Sequence, residues 1–362
     1  MSKIKTFLIS FFVLTLIVSM IILPGCQTQK STETTQASET STTAAETTKA
    51  VSEETTTTKE SEPFEMVIIV KLKHPWFDDT EKGIKEAAQE LGVNAYMVAP
   101  AEADAAQQIA LIEDAIAKGV DAISVVPNDP KAIAPVLQKA RDKGIITITH
   151  ESVNQEGVIY DVEGFDNNTY GAHIMDLLAG FMGEEGKWAS FTGNLTAVTL
   201  NQWSDAYLKR AEETYPKLEN LGNKFISDEN TQTAHDKTLE LIKKYSDIKG
   251  ILGTSSAEIP GIGLAIEEKG LQDKISAVGP GIPSMTRDLL KSGAIKAISV
   301  RRPKTMGYVQ VQLMYMLLTG KEIKDGTEIP GLGKIYLDGE NIYPEAPEFT
   351  DITAKNVDEF DF

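Results

Sequence analysis

Two charged side chains stand at the ends of strand-like apolar segments: Lys71 lies at the end of the first segment, and Glu151 comes after the fourth. A lysine that points inward at the end of a strand can donate up to three hydrogen bonds to hydroxyl or carbonyl oxygens. A carboxylate in a similar place can accept hydrogen bonds from two neighbouring hydroxyls, and charged acceptors bond more strongly than neutral ones. These residue types suit the recognition of a small polar molecule; a solvated lysine at a sheet edge and an exposed loop glutamate are the alternatives.

The sequence carries no recognisable catalytic motif. It has a single cysteine and four histidines, at positions 74, 150, 173 and 235. It has no Gly-x-Ser-x-Gly elbow, no phosphate-binding loop ending in Gly-Lys-Ser/Thr and no His-Glu-x-x-His pair. His150 and Glu151 are adjacent, so their side chains point to opposite sides of a strand and cannot form a dyad. We expect a binding protein and not an enzyme, with no cofactor and no metal site.

Strand-like apolar runs alternate with amphipathic helical stretches through the body of the chain. In the first such unit Met66–Leu72 is followed by helical spacing over Phe77–Leu91, and helices end at glycines such as Gly92, Gly119 and Gly144. Strand–helix alternation predicts parallel sheets with right-handed crossovers. Two sheets of five or six strands fit the pattern better than one of eleven or twelve. The prediction is an α/β protein with two doubly wound lobes.

Three crossings of the chain would join these lobes. We place the first near Glu163–Asp166 and expect returns near Arg302–Pro303 and Tyr336–Gly339. The N-terminal lobe is then predicted to comprise residues 64–163 and 303–335, and the C-terminal lobe residues 164–302 and 336–362.

Residues 1–26 have the layout of a secretory signal segment. Two lysines precede an apolar core, Phe7–Leu23. The sequence Leu23-Pro24-Gly25-Cys26 resembles the bacterial lipobox, in which the cysteine is lipidated, and Cys26 is the only cysteine of the chain. The alternative is an uncleaved membrane span, for which the apolar run is near the lower length limit. Residues 27–63, rich in Thr, Ser and Glu, predict a disordered tether.

A series of short motifs resembles the type I periplasmic solute-binding proteins of sugar ABC transporters. In chain order these are Lys73-His74-Pro75-Trp76-Phe77 with Lys82-Gly83, Val126-Pro127-Asn128-Asp129-Pro130, Gly164-Phe165-Asp166-Asn167, Lys291-Ser292-Gly293 and the turn ending at Pro303. The likeness is strongest to the autoinducer-2 and rhamnose-binding branch, through Asn201-Gln202-Trp203, Tyr245-Ser246-Asp247-Ile248, Val278-Gly279 with Pro283 and Arg287, and Phe360-Asp361-Phe362. The resemblance spans residues 65–362 and implies two lobes that close over a ligand in the cleft between them.

Five residues of the first lobe take ligand-contact positions by this resemblance. Lys71 falls where the autoinducer-2 branch has a ligand-binding lysine, and His74 where ribose-type members have a polar contact. Glu151 falls where an acidic residue accepts hydrogen bonds from adjacent hydroxyls. Trp76 and Phe77 fall where the family places aromatic rings against a sugar face, which suits the C–H faces of a sugar ring. Phe77 could equally belong to the core.

Residues of the second lobe are expected to complete the site. Asn201, at the start of a predicted helix, is a plausible polar contact or a helix cap. Ser256 stands where the autoinducer-2 branch has an alanine of the pocket. Thr199 and Leu200 replace an adjacent acid and amide that hold the ligand in that branch, so the resemblance does not assign autoinducer-2 as the ligand.

Arg301 takes the place of a glutamine or tryptophan at the wall of the cleft. Because arginine is suited to bidentate contacts with carboxylate or phosphate, Arg301 together with Lys71 and His74 motivates the hypothesis of an anionic ligand such as a sugar acid. The alternative is that Arg301 pairs with Glu151 across the cleft, which would leave a neutral polyol as the ligand.

These features predict a lipid-anchored, extracytoplasmic component of an ABC importer for a small sugar-like molecule. The candidate ligands include a sugar acid, a deoxysugar and autoinducer-2. The expected partners are a membrane permease and, through lipid on Cys26, the cell membrane. The expected location is the outer face of that membrane, which is the periplasmic side if an outer membrane is present. We expect a monomer. The net charge of −18 argues against nucleic acid. The alternative role is a receptor that presents the same ligand to a membrane sensor kinase.

Overall fold

The computed structural model describes residues 62–222 and 224–362, so the predictions for the signal segment, Cys26 and nearly all of the tether lie outside the described residues. Strands and helices alternate through most of the chain. The elements are β1 (Glu65–Ile69), α1 (Pro75–Leu91), β2 (Asn94–Val98), α2 (Ala105–Lys118), β3 (Ala122–Val125), α3 (Pro130–Asp142), β4 (Ile146–Thr149), β5 (Tyr160–Val162), α4 (Asn167–Met182), β6 (Gly186–Thr192), α5 (Val198–Thr214), β7 (Leu218–Asn220), β8 (Phe225–Ile226), α6 (Thr231–Lys244), β9 (Ile248–Leu252), α7 (Glu258–Glu268), β10 (Ser276–Pro280), α8 (Pro283–Lys291), β11 (Ala297–Val300), α9 (Pro303–Leu318), β12 (Glu328–Ile329), β13 (Gly333–Asp338), β14 (Asn341–Pro344), β15 (Thr350–Ile352) and a 3-10 turn (Val357–Glu359).

The strands form two sheets, one in each lobe. The first has the order β12-β13-β14-β5-β4-β3-β1-β2 and the second β15-β11-β10-β9-β6-β7, with β8 paired to β6. The strands that alternate with helices along the chain are parallel, whereas β12, β13 and β15 run antiparallel to the strands with which they pair. This confirms the predicted two-lobed α/β fold. The sheets have more strands than predicted because short segments such as β7, which are not apolar runs, pair at the sheet edges.

Two of the three predicted crossings agree with the sheet topology. The chain leaves the first sheet after β5 and enters α4, which packs on β9 and β10 of the second sheet. It returns after β11 through α9, which packs on α1, β3 and β4.

The third predicted crossing, at Tyr336–Gly339, is wrong. The strands β13 and β14 form a hairpin that turns at Gly339 (φ 62°), and β14 continues the first sheet beside β5. The crossing comes after Pro344 and before β15, so residues 336–344 belong to the first lobe and not to the second. A glycine turn between two short apolar strands looks the same in sequence whether the chain folds back or leaves the sheet.

Helix α1 is fixed against α9 by two glycines. A Cβ on Gly83 would overlap the carbonyl oxygen of Lys304, and one on Gly307 would overlap that of Thr80. Because neither residue carries a side chain, the two helix backbones approach closely. This packing sets the position of the N-terminus of α1, which carries two of the predicted site residues. In the described part of the chain, no helix has the length and apolar character needed to cross a membrane.

Candidate ligand-binding site

A cavity lies between the two lobes, with about 440 Å³ of empty space that is partly open to solvent. Its walls come from the segments that follow β1, β4, β8, β9 and β10, and from α1 and α5. The lining residues are Lys71, Leu72, His74, Trp76, Phe77 and Glu151 of the first lobe and Leu200, Trp203, Glu229, Thr254, Ser255, Ser256, Ala257 and Pro280 of the second. The carboxyl ends of parallel strands are where open α/β sheets place their ligands.

Lys71 joins the two lobes across this cavity. The residue is only 4% exposed, and its Nζ lies 3.2 Å from Glu151 Oε2 of its own lobe and 3.3 Å from Glu229 Oε2 of the other. Burial lowers the pKa of Lys71, but the two carboxylates outweigh that effect and raise it above its ordinary value. Burial likewise raises the pKa of Glu151, and Lys71 reverses this and holds it below the usual range. Lys71 and Glu151 are therefore both charged at neutral pH.

His74 presents a hydrogen-bond donor to the cavity. It is the N-cap of α1, and its Nδ1 accepts a hydrogen bond from Trp76 N at 3.1 Å, which places the ring proton on Nε2. Burial, together with the charge of Lys71, lowers the pKa of His74 to about 4, so the ring is neutral at pH 7. Within the described residues His74 Nε2 is buried without a hydrogen-bond partner.

Aromatic side chains from both lobes form the apolar walls. Trp76 packs against the hydrophobic cores of both lobes. Phe77 is 5% exposed and both joins the first core and lines the cavity, so the two roles considered for it are compatible. Trp203 of the second lobe is held in place because its Nε1 donates to Asn167 Oδ1 at 2.7 Å. Aromatic walls with polar groups at the rim suit a ligand that has C–H faces and hydroxyl edges.

Glu258 holds two of the lining segments together from behind. It is fully buried; Ser227 Oγ donates to its Oε1 at 2.6 Å, and the backbone N–H groups of Thr254 and Ser255 donate to its Oε2 at 2.5 and 3.0 Å. The segment that leads to Glu229 is thereby tied to the segment 254–256. Burial raises the pKa of Glu258 to about 7, although these donors oppose the shift.

We expect Glu258→Ala to weaken ligand binding and to lower the free energy of unfolding by about 1–3 kcal/mol, because two buried N–H groups lose their acceptor. Glu258→Gln is the matched control, since its amide can accept from both N–H groups and donate to Ser227. The raised pKa of Glu258 predicts that the wild type loses stability as the pH rises from about 4.5 to about 7. Thermal denaturation across this range should show a flatter pH dependence in Glu258→Gln; the same slope in both proteins would contradict the role given to Glu258.

A second cavity, of about 390 Å³, adjoins the first at the crossings between the lobes and shares Trp76, Glu151, Trp203 and Pro280 with it. Arg301 lines this cavity. Its Nη1 donates to Gly164 O and its Nη2 to Gly331 O, each at 3.0 Å, and it forms no ion pair with Glu151.

The structure contradicts the pairing of Arg301 with Glu151, and it places Arg301 and Lys71 on the walls of different cavities. Arg301 does not pair with Glu151, and it does not form a cationic wall with Lys71, because Lys71 is paired with two carboxylates in the first cavity. His74, the third member of the expected cationic group, is neutral at pH 7 because burial and Lys71 lower its pKa to about 4.

A sequence match over most of the chain identifies the family. Residues 66–322 match the profile described as the periplasmic binding protein domain. The chain belongs to this family.

Solved structures of the same fold include binding proteins with known ligands. An ABC transporter solute-binding protein from Clostridium phytofermentas with bound L-rhamnose superposes with a TM-score of 0.75, at 23% identity over 83% of this chain and 98% of that one. LsrB from Clostridium saccharobutylicum in complex with AI-2 superposes with a TM-score of 0.76, at 21% identity over 82% and 100%. At these identities the likeness establishes the fold.

A curated relative covers most of the same region. The D-allose-binding periplasmic protein of Escherichia coli K12 is 24% identical over 261 residues, which is 68% of this chain and 82% of that protein. The ribose import binding protein of Bacillus subtilis is 22% identical over 259 residues, or 72% and 83%.

In this periplasmic binding protein domain, six of the eight residues singled out from the sequence line the first cavity. They are Lys71, His74, Trp76, Phe77, Glu151 and Ser256. Arg301 lines the second cavity. Asn201 lines neither cavity; its amide donates to the carbonyl oxygens of Asn194 and Ala197, and its Oδ1 accepts from Lys224.

The misplacement of Asn201 follows from the start of helix α5. The helix begins at Val198, three residues before the predicted start, so Asn201 lies within its first turns and is not a cap. At about 100° per residue, Leu200 and Trp203 share the face that meets the cavity, and Asn201 points elsewhere.

Glu229 is the main site residue that the sequence interpretation missed. It follows β8, a strand of two residues, and contacts Lys71 of the other lobe. The sequence feature that could have identified Glu229 is its position just after the predicted strand at 224–227. The same rule of looking after each strand had identified Lys71 and Glu151.

Proposed function

We propose that this protein is the ligand-binding component of an ABC importer and that its ligand is a monosaccharide or a closely related polyol. The observation that carries the proposal is the interlobe cavity, which combines aromatic walls from both lobes with hydrogen-bonding groups of both kinds. His74 Nε2 and Lys71 are donors, and Glu151 and Glu229 are acceptors. A polyol presents hydroxyl groups that satisfy donors and acceptors alike.

The relatives support a sugar as the ligand. D-allose, ribose and L-rhamnose appear in the descriptions of similar proteins. Because lining residues come from both lobes, a ligand that contacts both favours the closed arrangement over an open one by the difference in its affinity for the two.

A thermal-denaturation screen tests this proposal. The panel comprises pentoses, hexoses, deoxyhexoses, polyols, sugar acids and autoinducer-2, added singly to the folded protein. A ligand at a hundredfold excess over its Kd should raise the free energy of unfolding by about 2.7 kcal/mol, which is visible as a shift of the melting temperature. A folded protein that responds to no member of the panel would contradict the proposal.

We also propose that lipid on Cys26 anchors the protein to the outer face of the membrane, where it delivers its ligand to the permease. The lipobox-like sequence before Cys26 supports this. We expect the full chain produced in a bacterial host to partition with the membrane fraction, and Cys26→Ser to move it to the soluble extracytoplasmic fraction. Equal partitioning of the two proteins would show that Cys26 is not the anchor.

A further inference from the structure

The charges around the first cavity do not balance. Its ionisable lining residues are Lys71, His74, Glu151 and Glu229. His74 is neutral at pH 7, and Lys71 compensates only one of the two carboxylates that it contacts. The described residues therefore leave an excess of negative charge at the cavity.

One carboxylate oxygen at this wall has no donor. Glu229 Oε2 contacts Lys71, whereas Glu229 Oε1 is buried without a hydrogen-bond partner in the described part of the chain. The residue is 9% exposed, and its backbone is held in the left-handed region (φ 51°) with its N–H bonded to Ser227 Oγ. A buried acceptor that lacks a donor is costly. Since Glu229 lines the cavity, a molecule bound there can supply the donor.

The remaining walls also suit a cation. Trp76, Phe77 and Trp203 present aromatic surfaces, and an ammonium group is attracted to an aromatic face once it is removed from water. Among the residues that line the first cavity an anion has no such partner, because Lys71 already contacts two carboxylates. Arg301 lines only the adjoining cavity; its Nη1 and Nη2 donate to carbonyl oxygens, and its Nε is buried without a partner among the described residues.

We infer that the site prefers a sugar carrying a protonated amino group over the neutral sugar of the same configuration, and that it disfavours the corresponding sugar acid. The amino group donates to Glu229 Oε1 and neutralises the excess charge, while His74 Nε2 and Lys71 meet the hydroxyl oxygens. This inference rests on the proposed function and narrows its class of ligand.

Calorimetric titration with matched sets of ligands tests the inference. The sets are D-glucose, D-glucosamine and D-glucuronate; D-galactose, D-galactosamine and D-galacturonate; and D-mannose, D-mannosamine and D-mannuronate. In the set that binds most tightly, we expect the Kd of the amino sugar to be lower than that of the neutral sugar by about tenfold or more. This is the gain expected from one charge-assisted hydrogen bond. The sugar acid should bind most weakly of the three.

Glu229→Gln should remove this preference, because the amide keeps the shape of the side chain but not its charge. Glu267→Gln, which changes an exposed carboxylate of α7, is the matched control and should keep it. If Glu229→Gln does not fold, the order of the wild-type affinities for the three ligands of each set tests the inference without it. A neutral sugar or a sugar acid that binds as tightly as the amino sugar would overturn the inference and leave the proposed function standing. Failure of the folded wild type to bind any of the nine would overturn the inference, and failure with the wider panel of the thermal-denaturation screen would overturn the proposed function as well.

Discussion

Lys71→Met is expected to abolish ligand binding and to lower the free energy of unfolding by about 3–5 kcal/mol, the usual cost of removing one partner of a buried ion pair. Lys71 is the cation that lies between Glu151 and Glu229, and each carboxylate comes from a different lobe. Without it, two buried carboxylates repel each other across the cavity. Calorimetric titration with the sugar that gives the largest melting shift, together with thermal denaturation, measures both effects.

The pH dependence separates this cause from a simple packing defect. In the wild type the pKa of Glu151 is held below its ordinary value of 4.5, so the stabilisation it supplies is present above that pH and is lost as the pH falls. In Lys71→Met burial dominates and raises the pKa of Glu151, so acidification should restore stability. Lys85→Met, which alters an exposed lysine of α1 paired with Glu81, is the control and should change neither property. A Lys71→Met protein that binds as the wild type does would contradict the role of Lys71.

Trp76→Ala is expected to reduce ligand affinity by about a hundredfold, as for a central aromatic contact, and to destabilise the protein by about 3–5 kcal/mol. Trp76 lines both cavities and packs on the cores of both lobes, so its loss removes a wall of the site and a contact between lobes.

Trp188→Phe serves as the comparison for Trp76→Ala. Trp188 is fully buried in the second lobe and does not line either cavity. This variant should lower the melting temperature but leave the affinity of the folded protein unchanged. Equal losses of affinity in both variants would show that Trp76 acts through stability alone and does not contact ligand.

The sequence predicted the fold and the first-lobe half of the site well, for a local reason. Lys71, His74, Trp76 and Phe77 all lie in one strand-to-helix turn, so the pattern of a single βα unit is enough to place them at the carboxyl edge of the sheet. Glu151 follows β4 in the same way. The second lobe contributes through helix α5 and through turns whose geometry depends on pairing with distant strands.

The errors share this dependence on distant contacts. Because α5 begins at Val198, Asn201 lies within the helix, where Leu200 and Trp203 occupy the face that lines the cavity. Glu229 follows a strand too short to be distinctive. The two carboxylates that contact Lys71 and the two carbonyl oxygens that contact Arg301 were not predicted, because these partners are distant in sequence. Ion-pair partners are set by tertiary packing, which residue patterns along the chain do not encode.

The most direct test is a crystal structure of the protein with the sugar that gives the largest melting shift. We expect the sugar ring to lie in the interlobe cavity against Trp76 and Trp203, with His74 Nε2 donating to one of its hydroxyl oxygens and Glu229 Oε1 accepting from one of its polar groups. A sugar bound elsewhere on the protein, with no ligand between Lys71 and the segment 254–256, would contradict it.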